Sequence, residues 1–327
     1  MKDTKYMSRL AAVCTFVLSA ALVPAQANLR INEVATGNTD WAEIINLGPD
    51  IAYIGGYKVY WGCSTSPTTW TTGSYTAPAG AVLYVGQSLV VTDSPTAVSP
   101  VTPAGSYTVY WTSNPPWSTL PAGLPTANQN GIVTLVNAAN VGVDRVQWGA
   151  VNATNAASIS FGAVWTGGNV VATNQNLIRI NNNDTDAAAD WGSTGTATPS
   201  APNAGQSVII GATMSLTTAG GGELTMTIST TPPLAGREVF NLLSLVDLSP
   251  NGSGPIFGLA TDVINEIVTP ISPFNPFHTN LDASGQYVFP VPAGILPLGL
   301  HLEGCSIVVD GTGVLIQRIS PVVEINL

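Results

Sequence analysis

Apolar and polar residues alternate in short runs along this chain, and Gly, Pro, Asn and Ser divide the runs. Successive side chains of a strand point to opposite faces, so a short alternating run predicts a strand with one buried side. Such runs are LRINEV (29–34), WAEIINL (41–47), YKVYW (57–61), AVLYVG (81–86), SLVVTD (88–93), YTVYW (107–111), GIVTLVN (131–137), DRVQWG (144–149) and LIRINN (177–182). Residues 192–206, GSTGTATPSAPNAGQ, lack large apolar side chains and read as a domain end and linker. The pattern then restarts with ATMSLTT (212–218), the turn AGGG (219–222) and ELTMTIST (223–230). In this hairpin Leu224, Met226 and Ile228 share the buried face, with Thr225 and Thr227 opposite. VFNLLSLVDL, QYVFPV, LGLHLEGCSIVVD and GVLIQRISPVVEINL supply the later strands. No segment of ten or more residues has a helical period before residue 255, and ATDVINEIV (260–268) suits one or two turns or a loop. The expectation is an all-β chain: a β-sandwich over 28–205 and a second, small β-sandwich over 206–327.

The first 27 residues stand outside that pattern. Lys2, Lys5 and Arg9 precede a nearly continuous apolar run, Leu10 to Val23, which Pro24 ends before Ala25-Gln26-Ala27. A positive start, an apolar stretch and a small-x-small site describe a secretory signal peptide cleaved after Ala27. Its removal takes away three of nine basic residues and one of nineteen acidic ones. Six basic residues then face eighteen acidic ones, and Lys58 is the last lysine. A surface this poor in cations cannot neutralise a run of phosphates, which argues against nucleic acid and anionic membrane surfaces as partners. No later apolar run is long enough to span a membrane. An exported address permits disulfides, but Cys63 and Cys305 fall in different predicted domains and read as buried or free thiols, with an interdomain bridge as the alternative.

One run looks contradictory. In DWAEIINLG (40–48) Glu43 shares a face with Trp41, Ile45 and Leu47. A buried carboxylate is costly unless it is paired or hydrogen-bonded. It is therefore either a catalytic acid or a structural one with a partner, and Arg30, Arg145, Arg179 or backbone N–H groups are the candidates. Glu33, placed by alternation on the Leu29–Ile31 face, has the same two readings. Asn46 and Gly48 suit a turn that closes the strand.

The surroundings of Glu43, LRINEVATGNTDWAEIINLGPDIAYIGGYKVYW, resemble the start of the lamin tail domain. YTAPAGAVLYVGQSLVVTD, NGIVTLVNAANVGVDRVQWG, NLIRINNNDTDAAADW and TPSAPNAG resemble later parts of that family, in order, over residues 28–205. The resemblance implies an immunoglobulin-like β-sandwich of the kind found in nuclear lamins and in secreted bacterial proteins. Tyr57 stands where the family often has Trp, and Ser200-Ala201 replaces the usual Gly after Pro199. Residues 62–75 and 94–128 read as insertions. The remainder weakly resembles C-terminal β modules of secreted bacterial proteins.

The chemistry is sparse. Asp184, Asp186 and Asp190, with Asn182, could present oxygens to Ca²⁺, but the Gly and closing Glu of an EF-hand are missing, and a solvated acidic loop is the rival reading. His278, in a proline-punctuated loop, and His301, set by alternation with Glu303, lack zinc-ligand spacing. No nucleophile elbow or phosphate loop is present. Trp61, Trp70, Tyr75, Tyr110, Trp111 and Trp117 read as loop aromatics that either stack on sugars or cover the sandwich ends. The expectation is a secreted, non-catalytic structural or adhesive protein with a protein or glycan partner and no catalytic, cofactor or metal residue. The alternative is a carbohydrate-binding or hydrolytic module with a calcium-stabilised loop.

Overall fold

The computed structural model describes residues 28–36, 40–66, 69–92, 107–110, 130–171, 176–194, 196, 198–266 and 275–327. The proposed signal peptide, residues 1–27, lies outside them. The chain divides into two compact units, with Gly211 closing one and Ala212 opening the next. That divide falls six residues beyond the boundary read from the sequence, 205/206.

The fold is all-β. In the first unit, β1 (Leu29–Thr36), β2 (Asp40–Asn46), β7 (Ser88–Thr92), β8 (Tyr107–Tyr110), β11 (Asn176–Arg179) and β12 (Trp191–Thr194) form a sheet in the order β12-β11-β1-β2-β7-β8. Strand β8 pairs in parallel with β7, and the other pairings are antiparallel. A second sheet has the order β10-β9-β4-β5, from β4 (Lys58–Ser66), β5 (Thr69–Thr76), β9 (Asn130–Val136) and β10 (Gly142–Trp148). Between the two sheets, Ile31, Ala42, Ile44 and Leu89 meet Val59, Trp61, Leu135, Val146 and Trp148 in one core. A small ribbon joins β3 (Ala52–Tyr53) to β6 (Val82–Leu83). Among the described residues, helical structure is limited to α1 (Ala153–Ser158) and short 3-10 turns at Ala188–Asp190 and Thr261–Glu266. The last of these falls in the segment 260–268, read as one or two turns or a loop.

Of the residues read as an insertion, 62–66 and 69–75 belong to the paired strands β4 and β5, whose register sets Trp61 across from Gly73. A Cβ at Gly73 would sit 2.5 Å from the Trp61 ring, so the absent side chain makes room for the indole. Trp148 lies over its cross-strand partner Gly131 in the same way, with a Cβ there reaching the ring at 2.2 Å. Trp61 is consequently a core residue, not a loop aromatic, and Tyr75 packs half-buried against the same core. The side chains of Trp70, Tyr110, Trp111 and Trp117 lie outside the described residues.

In the second unit, β13 (Ala212–Thr217), β14 (Leu224–Thr230) and β17 (Gln286–Val291) form one sheet. The other has the order β16-β15-β18-β19, from β15 (Glu238–Ser244), β16 (His278–Asn280), β18 (His301–Val309) and β19 (Ile316–Ile319), with β20 (Val323–Asn326) also on β18. Strand β14 keeps the expected alternation: Leu224, Met226 and Ile228 are buried and the threonines between them half-buried. The hairpin turns through Gly220, Gly221 and Gly222, all at positive φ, where a side chain would be strained. Met214, Met226, Ile228 and Tyr287 face Val239 and Val308 across this sandwich.

Candidate functional site

The buried acids of the first unit occupy two places. Between the sheets, Asp144 on β10 and Arg179 on β11 form a bidentate pair with Nη2–O distances of 2.9 and 2.7 Å. A β-bulge between Gly142 and Asp144 re-phases β10, which places Asp144 on the core-facing side with Val146 and Trp148. Its carboxylate also accepts the N–H groups of Ile31 (2.7 Å) and Arg145 (2.6 Å). Arg179 in turn donates from Nε to the Ile31 carbonyl at 3.0 Å and lies 4.8 Å from the Trp191 ring centroid. Burial pulls the Arg179 pKa down, but Asp144 and Asp184 outweigh this and set it above its usual value. For Asp144 burial pushes the pKa up and Arg179 opposes it. Burial wins at Asp144, whose pKa stays raised, while the guanidinium and two backbone donors oppose it.

The loop after β11 is part of the same network. Asp184 accepts from Arg179 Nη1 at 3.2 Å and forms an ion pair with Arg30, whose Nε lies 3.1 Å away. Asp190 accepts the Thr185 N–H at 2.7 Å and its hydroxyl at 2.8 Å. The loop is therefore not a solvated acidic segment. Carboxylate oxygens of Asp144, Asp184 and Asp186 lie within 4.8 Å of one another, a set different from the Asp184, Asp186, Asp190 trio read for calcium. Two guanidinium groups already supply positive charge there.

Glu33 and Glu43 lie on the other face of the six-stranded sheet. Ala42 and Ile44 enter the core between the sheets, whereas Trp41 joins Ala35 and Val90 in a separate outer cluster. Glu43 follows Trp41. Alternation alone misplaces Glu33, because a bulge between Ile31 and Glu33 inserts Asn32 and reverses the phase. Val34 then takes the core face, and Glu33 stands directly opposite Glu43.

Both acids draw partners from the segment read as a linker, and Glu43 also from Asn32 on β1. Ser200 N–H donates to Glu43 Oε2, and Asn32 Nδ2 donates to Oε1 at 2.8 Å. The Thr198 N–H lies 3.1 and 3.0 Å from the Glu33 oxygens, and the Thr198 hydroxyl donates to Oε1. Asn203 ties the segment down, donating to the Asn32 carbonyl at 3.0 Å and to the Arg179 carbonyl at 3.1 Å. Of the four candidate partners for Glu43, backbone N–H is the one found; Arg30 and Arg179 serve Asp184 and Asp144, and Arg145 hydrogen-bonds Gln147. Burial pushes the Glu43 carboxyl up to about 8, with Ser200 and Asn32 opposing. Burial also raises Glu33. Asn46 closes β2 as expected: its Oδ1 accepts the Gly48 N–H at 2.9 Å, and its Nδ2 donates to the Asp50 and Leu83 carbonyls.

The second unit holds a cavity of another kind. A groove of about 590 Å³ opens between its two sheets, lined by Leu224, Met226, Phe277, Phe289, Leu296 and Leu302 among other apolar residues and prolines. No ionisable side chain lines it among the described residues. Leu245 and Ile295 form part of its wall and remain 62% and 65% exposed. His278 is not in a loop but starts β16, where Nε2 lies 2.5 Å from Glu238 Oε1 and the ring stacks on Phe240. Cys63 and Cys305 are buried thiols that form no bridge, and burial pushes Cys305 up to about 12. No helix among the described residues is long and apolar enough to cross a membrane.

No family model matches this chain, and neither does any curated protein. A match is found to the crystal structure of a tetra-tandem repeat in the extending region of a large adhesion protein, at 12% identity and a TM-score of 0.20. It covers 92% of this chain and 49% of that one, so the chain spans about half the length of the protein it matches. A score that low carries no argument about fold or function.

Proposed function

We propose that this chain is a secreted, non-catalytic binding protein of structural or adhesive type, which holds a partner protein through apolar side chains. The observation that carries this reading is the apolar groove of the second unit. A sugar needs hydrogen-bond partners along its hydroxyls, and the groove lining supplies only apolar side chains and prolines. An apolar side chain or a short apolar peptide segment needs none, and burial stabilises it by about 25 cal/mol per Å². The buried acids Glu33, Glu43, Asp144 and Asp190 support the same reading, since each is engaged within the chain. We also read residues 28–205 as lamin-tail-like. The residues that carry that resemblance, Asp144 in VDRV, Arg179 in the closing strand and Asn203 in PSAPN, meet in one network.

The test uses the purified, exported chain against an array of apolar-rich peptides, a glycan array and polysaccharide or peptide substrates. Binding to peptides is expected, with loss in Leu245→Asp and Ile295→Asp, whose exposed positions spare the fold. Turnover of any substrate, or glycan binding indifferent to both substitutions, contradicts the proposal.

A further inference from the structure

Four ligating side chains of the second unit, none of them lining the groove, converge around β18. Asp247, His301, Glu303 and Glu324 each bring one donor atom to within 4.8 Å of all the others. The topology explains the convergence. His301 and Glu303 are two apart on β18 and share a face. The β18–β20 register sets Glu324 directly across from Glu303, and Asp247 follows the end of β15, whose Ser244 pairs with Glu303 on the other side. Like charges placed directly opposite each other destabilise a sheet unless donors or a cation answer them; Glu33 and Glu43, paired in the same way, have donors from the chain.

Glu303 carries the strongest indication. Its side chain is fully buried. Its Oε1 accepts the Leu248 N–H at 2.9 Å, and Oε2 is buried without a hydrogen-bond partner. A buried carboxylate oxygen left unsatisfied is costly. His301 is oriented for ligation. Its Nδ1 is bonded to Asn326 Oδ1 at 3.0 Å, which leaves the Nε2 lone pair available. Nε2 is itself buried without a hydrogen bond and lies 3.8 Å from Glu303 Oε1. Metal-ligating histidines are held by such a bond from the other ring nitrogen. Donor atoms about 2.0–2.2 Å from a tetrahedral zinc are some 3.3–3.6 Å apart; His301 Nε2 and Glu303 Oε1, at 3.8 Å, are within a few tenths of an ångström of that, and the rest of the set, within 4.8 Å, closes with side-chain shifts of up to about 1 Å.

We propose that Asp247, His301, Glu303 and Glu324 form a divalent transition-metal site of the zinc class, which clips β20 and the loop after β15 to β18. An imidazole among carboxylates favours zinc over calcium or magnesium, which take oxygen ligands. The site is independent of the apolar groove and goes beyond the binding reading. It also answers the spacing argument of the sequence: the ligands are brought together by cross-strand register, which linear spacing does not reveal.

The test is calorimetric titration of the metal-stripped, exported chain with ZnCl₂, MnCl₂ and CaCl₂, with thermal unfolding read alongside. One equivalent of zinc is expected to bind and to raise the midpoint of one transition. His301→Gln and the exposed Glu324→Gln should each weaken zinc at least 10-fold, and Asn326→Ala should weaken it about 10- to 100-fold as the loss of an orienting bond. Glu303→Gln adds a fourth variant if it folds; the two exposed or half-buried positions keep the test decisive if it does not. Asp184→Asn, in the first unit, should leave zinc binding unchanged. No zinc heat, zinc heat indifferent to His301→Gln and Glu324→Gln, or calcium bound in preference to zinc would each overturn the assignment.

Discussion

The two units treat buried acids in opposite ways. In the first, each acid is answered from within the chain: Arg179 for Asp144, Arg179 and Arg30 for Asp184, and the N–H groups of Thr198 and Ser200 for Glu33 and Glu43. In the second, Glu303 keeps one oxygen unsatisfied and faces Glu324 across the sheet. A buried carboxylate is thus not by itself a functional signal. The informative feature is whether the protein has provided the counter-charge or donor, and at Glu303 it has provided only half.

The contrast is most severely tested at Arg179. Replacing it by Met leaves Asp144 buried without its counter-charge, and removing one partner of a buried pair costs roughly 3–5 kcal/mol. Chemical denaturation should show the first unit unfolding at much lower denaturant, with the second unit unchanged. The double variant Asp144→Leu/Arg179→Met should recover much of the loss, because no charge is then stranded. A single-variant cost under about 1 kcal/mol would mean the pair is not ionised and the contrast between the units is lost.

Glu43 sharpens the same contrast through pH. Its ordinary pKa is 4.5, and in the folded chain burial raises it to about 8. Between these values the folded state holds a proton that the unfolded state has released. This contribution to stability is therefore fully present below pH 4.5, declines as pH rises, and is gone above about 8. The slope should reach up to about 1.4 kcal/mol per pH unit, and Glu33, also raised by burial, adds in the same direction. Urea titrations from pH 5 to 9 on wild type and Glu43→Gln measure it, and the variant should show the shallower dependence. Identical slopes would place Glu43 in a better-solvated setting than its burial indicates.

Two smaller effects separate packing from charge. Gly131→Ala drives a methyl group into the Trp148 ring, which approaches the Cβ position to 2.2 Å, and overpacking of that kind costs about 1–3 kcal/mol. Thermal unfolding reads it in the first unit alone. Ser200 sits at φ +68°, a left-handed conformation that costs a non-glycine residue roughly 1–2 kcal/mol. Ser200→Gly keeps the N–H that Glu43 needs, so it should be stabilising by at most about 1 kcal/mol after the entropy cost of glycine. Marked destabilisation would mean that the Ser200 side chain, not its backbone, holds the segment.

Much of the frame was legible in the alternation of β14, in the order of β1, β2, β7, β9, β10 and β11, and in the Asn46–Gly48 turn. Each follows from local chemistry that acts within a few residues. Three features were not legible, for reasons that are physical. A bulge changes the phase of a strand without changing its composition, so Glu33 was assigned to the wrong face. The segment 198–203 is polar because its donors answer buried acids, and a polar, proline-containing stretch looks identical to a linker when its target is more than 150 residues away in sequence. The groove and the four-ligand cluster are products of register between distant strands, and nothing in the spacing of His301, Glu324 and Asp247 brings them together.

Calorimetric unfolding of the exported chain, with zinc and then with chelator, tests the central contrast most directly, using Arg179→Met to mark the transition of the first unit. Zinc should raise the other transition and leave the marked one where it was. A zinc-dependent shift of the marked transition, or of neither, would contradict the account.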